Sequence, residues 1–305
     1  MIAKGNPALP RILVTGASGQ LGFELARTLA PLGDVIATDR KELDLANADA
    51  VVAAMRTHAP AIVVNAAAYT AVDQAERDAA QAHAINAVAP GILAEEAHRT
   101  GALLVHYSTD YVFDGRQMEP YAEDAPTHPI NAYGRSKLAG ERAIAQTGAA
   151  ALVFRTSWVY AARGRNFLLT MRRLAVERDE IRVVADQRGT PNWSRSLARA
   201  TARILAHDRE WLAARHGVYN MTASGATTWF GFAQAIIGEL QQDVAQGAKV
   251  ARVVPINTAQ YPTPAARPAN SVLDDRRFAS TFGFALPAWQ DALAECLSQM
   301  DDGGR

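Results

Sequence analysis

The chain has 305 residues, 49% of them apolar, enough to bury one large core or two coupled lobes and too much for a single small module. Its 31 basic and 31 acidic side chains cancel, so no uniform positive field is available to hold a polyphosphate backbone, and a nucleic-acid partner is excluded from the expectation. Cys296 is the only cysteine, residues 1–11 hold no apolar stretch like a secretory signal, and no run nears the roughly 18 apolar residues of a membrane helix. A soluble, cytoplasmic protein without an intrachain disulfide or membrane contact is expected.

The first half alternates two hydrophobic periods. Short β-branched runs at 12–15, 35–38, 62–64, 103–106 and 152–154 read as strands. Between them, segments 21–29, 48–56, 79–99 and 132–146 carry apolar residues at helical spacing. Such a βαβ series specifies an α/β fold: a doubly wound, Rossmann-type parallel sheet that binds ligands at the carboxyl ends of its strands. Past Tyr160 the alternation weakens, through a helical 166–178, a strand at 181–184, and a Gly/Pro-punctuated run at 186–193. A helix at 195–206, a strand at 218–221, a helix at 229–240 and a proline-punctuated loop at 261–270 follow. Residues 1–160 are therefore assigned to a dinucleotide-binding domain and 161–305 mainly to a smaller α/β substrate lobe, with segments around 195–225 returning to the sheet.

Directly after the first strand stands GASGQLG, residues 16–22. Gly16 permits the tight turn, Gly19 lets a pyrophosphate approach the main chain, and Gly22 lets the following helix pack close on the sheet. Gln20 and Leu21 lie on the same loop. At the end of the second strand Asp39 sits near the offset where a carboxylate takes the ribose hydroxyls of NAD, while Arg40 and Lys41 beside it suit the 2′-phosphate of NADP. Both NADH and NADPH stay open. Asp44 and Leu45 suit an adenine amino group and ring. At the end of the third strand Ala67, Ala68 and Tyr69 are small or flat where a cofactor would lie, although core packing explains the alanines nearly as well.

Tyr133 and Lys137 lie four residues apart at the start of a helix, so both project from one face. A carbonyl reduced by hydride develops negative charge on oxygen and needs a proton donor. Tyr133 fits that role, with the Lys137 ammonium lowering its pKa and reaching a nicotinamide ribose. After the fourth strand, a hydroxyl from Thr109 or Ser108 could hold the carbonyl, or could simply cap the strand end. Arg267, in a proline-stiffened loop, could meet a diphosphate, and Asn166 is grouped with it as a substrate contact.

Taken together, GASGQLG, NAAAYTAVD, YSTDYVFDG, YGRSKLAGE, RTSWVY, DQRGTP and RPANS resemble the dTDP-4-dehydrorhamnose reductases, a branch of the extended short-chain dehydrogenase/reductases, over nearly the whole chain. The resemblance implies reduction at C4 of dTDP-4-dehydro-6-deoxy-L-mannose with NADPH or NADH as hydride source. It implies Tyr133 as proton donor, Lys137 as its partner and Thr109 as the residue that tunes the carbonyl. Thr109 and Asp110 match substrate-contacting positions, and Trp158 matches an aromatic that packs on the sugar, although a tryptophan near a strand could also be core. Residues 190–195, TPNWSR, depart from the pattern, with Trp193 and Arg195 where some relatives carry small residues and a carboxylate. A metal-bridged dimer is therefore not expected, no metal is assigned, and a homodimer remains the assembly considered. A related nucleotide-sugar epimerase, dehydratase or ketoreductase would share the loop and the Tyr-Lys pair. A non-catalytic regulatory subunit could share the fold.

Overall fold

The computed structural model describes residues 9–243 and 250–302. In β1 (Arg11–Thr15) four of five residues are buried, as required of a strand covered on both faces. It leads through α1 (Gln20–Thr28), the half-exposed edge strand β2 (Asp34–Thr38), and α2 (Ala48–His58) to β3 (Ile62–Asn65). Asn47 starts α2 by accepting a hydrogen bond from the Ala50 N–H, satisfying one of the orphan donors of the first turn. The helical pattern at 79–99 is not one helix. After a short α3 (Val72–Ala75), α4 (Ala79–His83) and α5 (Ala89–Thr100) are joined by a π-helical turn at Ala84–Val88.

β4 (Leu103–Thr109) is buried at all seven positions and lies near the middle of the sheet; α6 (Ala132–Gln146) and β5 (Ala151–Thr156) follow. Beyond them come β6 (Val159–Tyr160), α7 (Phe167–Glu177), β7 (Glu180–Val184), β8 (Arg188–Gly189), β9 (Asn192–Trp193), α8 (Ser194–Leu205), α9 (Arg209–Ala213) and β10 (Gly217–Asn220). β11 (Thr227–Thr228), α10 (Trp229–Asp243), β12 (Arg252–Ile256), α11 (Arg276–Phe282) and α12 (Trp289–Asp302) complete the described chain.

The main sheet has six parallel strands in the order β10-β5-β4-β3-β1-β2. Helices cover both faces. On one, Leu25 of α1 and Leu29 just past its end meet Leu197 and Ile204 of α8 and Phe278 and Phe282 of α11 over Phe154 and Tyr219. On the other, Val51 and Met55 of α2 and Leu93 of α5 bury Leu13, Val63 and Leu104. β10, α8 and α11 thus belong to the sheet although they follow the crossing at residue 160.

A separate core holds the second lobe, where Tyr160, Leu168, Met171, Phe232, Ile236, Trp289 and Leu293 surround the buried free Cys296. Its largest strand pair is the parallel β7 and β12. Trp193 is fully buried, and Arg195 lies over its ring while pairing with Glu24 of α1 at 2.9 Å. No described helix is long and apolar enough to cross a membrane. Among the described residues, no group of three or more His, Cys, Asp or Glu is placed to hold a metal ion.

Candidate active site

A cleft of about 570 Å³ opens where the carboxyl ends of β1, β3 and β4 meet α1 and α6. Gly16 has φ +70°, and a Cβ there would stand 2.8 Å from the Ala67 backbone; a Cβ on Gly22 would stand 2.1 Å from the Gly16 carbonyl oxygen. Only glycine lets loop, strand and helix converge this closely. No side chain caps α1 at Gly19, so the N–H groups of its first turn face the cleft free for an anion. Gln20 and Leu21 line the same end, and the buried Gln20 Oε1 has no hydrogen-bond partner.

Ala67, Ala68 and Tyr69 form the opposite wall, and Arg40, Asp44 and Leu45 line the far end. Asp39 does not line it. Its carboxylate instead accepts the Lys41 N–H at 2.7 Å, while the exposed Arg40 reaches toward Asp44 at 3.9 Å.

Tyr133 and Lys137 are placed by the start of α6. Asn131 caps that helix by accepting the Gly134 N–H at 2.7 Å, and Glu76 accepts the Ala132 N–H at 2.7 Å. Both satisfy orphan donors, and the carboxylate favours the positive end of the helix dipole. Tyr133 meets Tyr111 edge-on, with ring centroids 5.8 Å apart. Burial pushes its phenol up to about 12; a hydrogen bond with Thr109 opposes this and the Asp110 charge adds to it. The lowering expected from Lys137 is not what governs this phenol. The Lys137 amine is drawn under the cleft, donating to the Tyr107 carbonyl at 2.6 Å and standing 3.2 Å from His106 Nε2. Burial brings Lys137 down to about 8, with the Glu141 charge opposing the shift.

Two side chains that motif reading passes over hold this geometry. Asn86, in the π-turn, accepts the Tyr69 N–H at 2.8 Å and donates to the Tyr69 carbonyl at 3.0 Å and to Ser136 Oγ at 2.9 Å. It therefore ties the cofactor-side loop to α6 between Tyr133 and Lys137. An asparagine inside the apolar run INAVAP, with proline close behind, is the signal that could have found it. Glu141 accepts two hydrogen bonds from Arg155, at 2.9 and 2.7 Å, and one from Ser108. The Ser108 hydroxyl is thereby committed to the interior.

Thr109 ends β4 and caps the next turn, its hydroxyl accepting the Tyr111 N–H at 3.1 Å and donating to Asp110 Oδ1 at 2.9 Å. Asp110 is buried, its Oδ2 has no hydrogen-bond partner, and burial pushes its carboxyl up to about 6. Trp158 holds a left-handed backbone, φ +43°, uncommon for so bulky a residue. Its ring stacks on Trp229 at 3.6 Å and 9°, and a Cβ on Gly189 would collide with it.

A second cleft of about 570 Å³ starts at Trp229, with Phe167, Leu174, Ile181 and Val183 on its apolar side and Arg178, Arg182 and Arg267 among its polar residues. Arg267 is bridged to Asp73 of α3 through two hydrogen bonds, at 3.1 and 2.8 Å. Asn166 lines neither cleft, and neither do Thr109, Asp110 and Trp158. The Asn166 amide caps α7 at the Leu169 N–H and donates to the Ala161 and Arg163 carbonyls, so both of its N–H donors are spent within its own turn.

Residues 10–302 match the family described as the RmlD substrate binding domain. A dTDP-4-dehydrorhamnose reductase of Burkholderia thailandensis is 52% identical over 95% of this chain and 99% of its own length. A probable dTDP-4,6-dihydroxy-2-methyloxan-3-one 4-ketoreductase of Streptomyces antibioticus is 46% identical over 94% of each chain. The crystal structure of a Bacillus anthracis dTDP-4-dehydrorhamnose reductase in complex with NADP superposes with a TM-score of 0.87 at 35% identity, covering 95% of this chain and 99% of that one. The chain belongs to the dTDP-4-dehydrorhamnose reductase family, a family of enzymes.

Proposed function

We propose that the chain reduces the 4-keto group of dTDP-4-dehydro-6-deoxy-L-mannose to give dTDP-L-rhamnose, with NADPH or NADH as hydride source and Tyr133 as proton donor. The observation that carries this reading is the meeting of Tyr133 and Lys137 with the glycine-lined start of α1 in one cleft. The residues present fit a dinucleotide. Gly16 and Gly19 leave room for a pyrophosphate at the helix start, the orphaned Gln20 Oε1 offers an acceptor, and Lys137 reaches the opposite end of the same cleft. When bound, the reduced nicotinamide supplies the hydride.

The protein supplies placement and a proton. A phenol held near 12 stays protonated at neutral pH, which is the form a donor needs when a keto oxygen gains charge. Thr109 stands beside the phenol, and turning its hydroxyl proton from Asp110 to the substrate carbonyl would orient that carbonyl against Tyr133. Asp110 lines neither cleft and acts through Thr109, whose hydroxyl proton its buried carboxylate accepts. Trp158, held against Trp229, offers a flat apolar surface to the sugar ring. The second cleft takes the nucleotide, with apolar residues against the base and Arg267 toward the diphosphate.

The test is a spectrophotometric assay of purified protein with reduced cofactor and the 4-keto sugar, generated in place by the upstream enzymes. Loss of nicotinamide absorbance together with formation of dTDP-L-rhamnose is expected. No oxidation above the control without sugar would overturn the reading. The likeness to the S. antibioticus ketoreductase motivates one alternative, another dTDP-linked 4-keto sugar, and turnover of such a sugar in preference to the rhamnose precursor would favour it.

A further inference from the structure

The carboxyl ends of three neighbouring strands carry a polar row that the reaction above leaves unexplained. In the sheet register Thr15 of β1 stands opposite Asn65 of β3, and Asn65 opposite His106 of β4. All three are buried, His106 completely. Thr15 Oγ1 donates to Asn65 Oδ1 at 2.6 Å, the Asn65 amide nitrogen stands 3.0 Å from His106 Nδ1, and His106 Nε2 meets Lys137 Nζ at 3.2 Å. At its other end Thr15 Oγ1 accepts the Ala67 N–H at 3.3 Å, on the loop that lines the cofactor cleft. Burying an imidazole and an amide costs stability that apolar side chains would not, so this row calls for a role beyond filling the core.

We infer that His106 is a positioning residue for Lys137: its Nε2 accepts a hydrogen bond from the ammonium, in a tautomer set by Asn65 and Thr15, so that the remaining N–H faces the cofactor. This rests on the assignment of Lys137 to the cofactor site made above. An ammonium has three donors. The Tyr107 carbonyl takes one and His106 a second, and tetrahedral geometry then fixes the third.

An ammonium cannot accept, so Nε2 must be bare and Nδ1 must carry the proton. Asn65 receives that proton once its amide turns from the placement in this structure, bringing its oxygen to the ring and its nitrogen to Thr15. The placement in this structure, nitrogen to the ring and oxygen to Thr15, fits a neutral amine that accepts from Nε2–H. The Asn65 orientation and the Lys137 charge therefore change together.

Burial and the Lys137 charge hold His106 well below the ordinary imidazole range, so it acts as a neutral acceptor. The other ionisable groups around Lys137 are Tyr133 on the preceding turn of α6, Glu141 on the following turn with its partner Arg155, and Asp110 beyond Tyr133. None of them replaces an acceptor at Nε2.

The test follows reduced-cofactor affinity against pH by nicotinamide fluorescence, which needs no turnover. Wild-type affinity should fall as Lys137 loses its proton, with a midpoint near the value of about 8 that burial gives this lysine. His106→Phe keeps ring volume but removes the acceptor, so the midpoint should move to lower pH by about half a unit or more. His106→Gln brings an amide oxygen to roughly the place of Nε2 and should stay within about 0.2 units of wild type. Asn65→Asp pins the proton on Nδ1 and should move the midpoint upward, a result that decides the matter alone if His106→Phe does not fold.

A flat wild-type profile, an unmoved midpoint in His106→Phe, equal displacement in Phe and Gln, or no upward shift in Asn65→Asp would overturn the role of His106, whatever the melting temperatures do. A protein that binds cofactor with these shifts but reduces no keto sugar would instead sink the proposed substrate and leave His106 in place.

Discussion

The two clefts have similar volumes and are built on opposite principles. The first is made largely of main chain: strand ends, the uncapped start of α1, and glycines where a methyl group would stand 2.1 to 2.8 Å from backbone. The second is a mosaic of side chains from α7, β7, α10 and the loop around Arg267. Main-chain sites demand particular residues at fixed spacings, because few residues tolerate the geometry. Side-chain mosaics can be assembled from distant segments in many ways, which is how one fold serves many substrates.

Variants that strike one cleft and spare the other sharpen this contrast, and the largest effect is expected where both ligands meet. Tyr133→Phe should lower single-turnover reduction by about 10² to 10⁴ while cofactor affinity changes less than about twofold. A near wild-type rate would remove Tyr133 from the chemistry. Trp229→Ala opens the second cleft and undoes the Trp158 stack. It should raise KM for the sugar nucleotide by roughly 30-fold, about 2 kcal/mol, with cofactor affinity unchanged. In the same variant dTDP should lose its power to raise the melting temperature, since stabilisation tracks binding to the folded state.

At the far end of the first cleft, Arg40→Ala should weaken NADPH about 5- to 10-fold and NADH little, because Arg40 lines the cleft and is exposed. Asp39→Ala should change either affinity less than about threefold, because that carboxylate is turned to the Lys41 N–H. A larger shift toward NADPH would show that Asp39 swings to the ribose.

The smallest effect concerns stability. Burial raises the Asp110 carboxyl to about 6, above its unfolded value, so this group's stability contribution is complete at low pH and lost as pH rises through about 6. Asp110→Asn should therefore melt about 2 to 4 °C higher at neutral pH, with the gain shrinking in acid. A gain that grows in acid would mean that Asp110 is ionised at a cost already met by partners.

Much of this contrast was visible in the sequence, for the reason just given. Gly16, Gly19, Gln20, Leu21, Arg40, Asp44, Leu45, Ala67, Ala68, Tyr69, Tyr133 and Lys137 all line the first cleft, as their spacing after predicted strands led one to expect. The strand series and parallel sheet followed from periodicity alone. What escaped was side-chain commitment. Asn166 and Asp39 look like ligand contacts in a string of letters, yet backbone N–H groups claim both.

Arg267 faces the second cleft but is already paired with Asp73, almost two hundred residues earlier in the chain. Asn86 and His106 sit in apolar runs where a single polar residue has no periodic signature. Their partners are fixed by sheet register and a π-turn, neither of which a local pattern encodes. The return of α11 to the main core has the same origin, since Phe278 and Phe282 fit either lobe equally well by composition.

The parallel stack of Trp158 on Trp229 has an optical consequence. Two indoles 3.6 Å apart and within 9° of parallel have electronically coupled transitions, and such a pair should give a near-ultraviolet circular dichroism couplet that separated tryptophans lack. Of the five tryptophans in the chain, only this pair is stacked in this way among the described residues. Its signal should therefore stand out against the rest. A ligand that slides along Trp158 or parts it from Trp229 would report its own arrival through that couplet, giving the substrate side of the molecule an intrinsic, label-free gauge that the nicotinamide signal on the other side cannot provide.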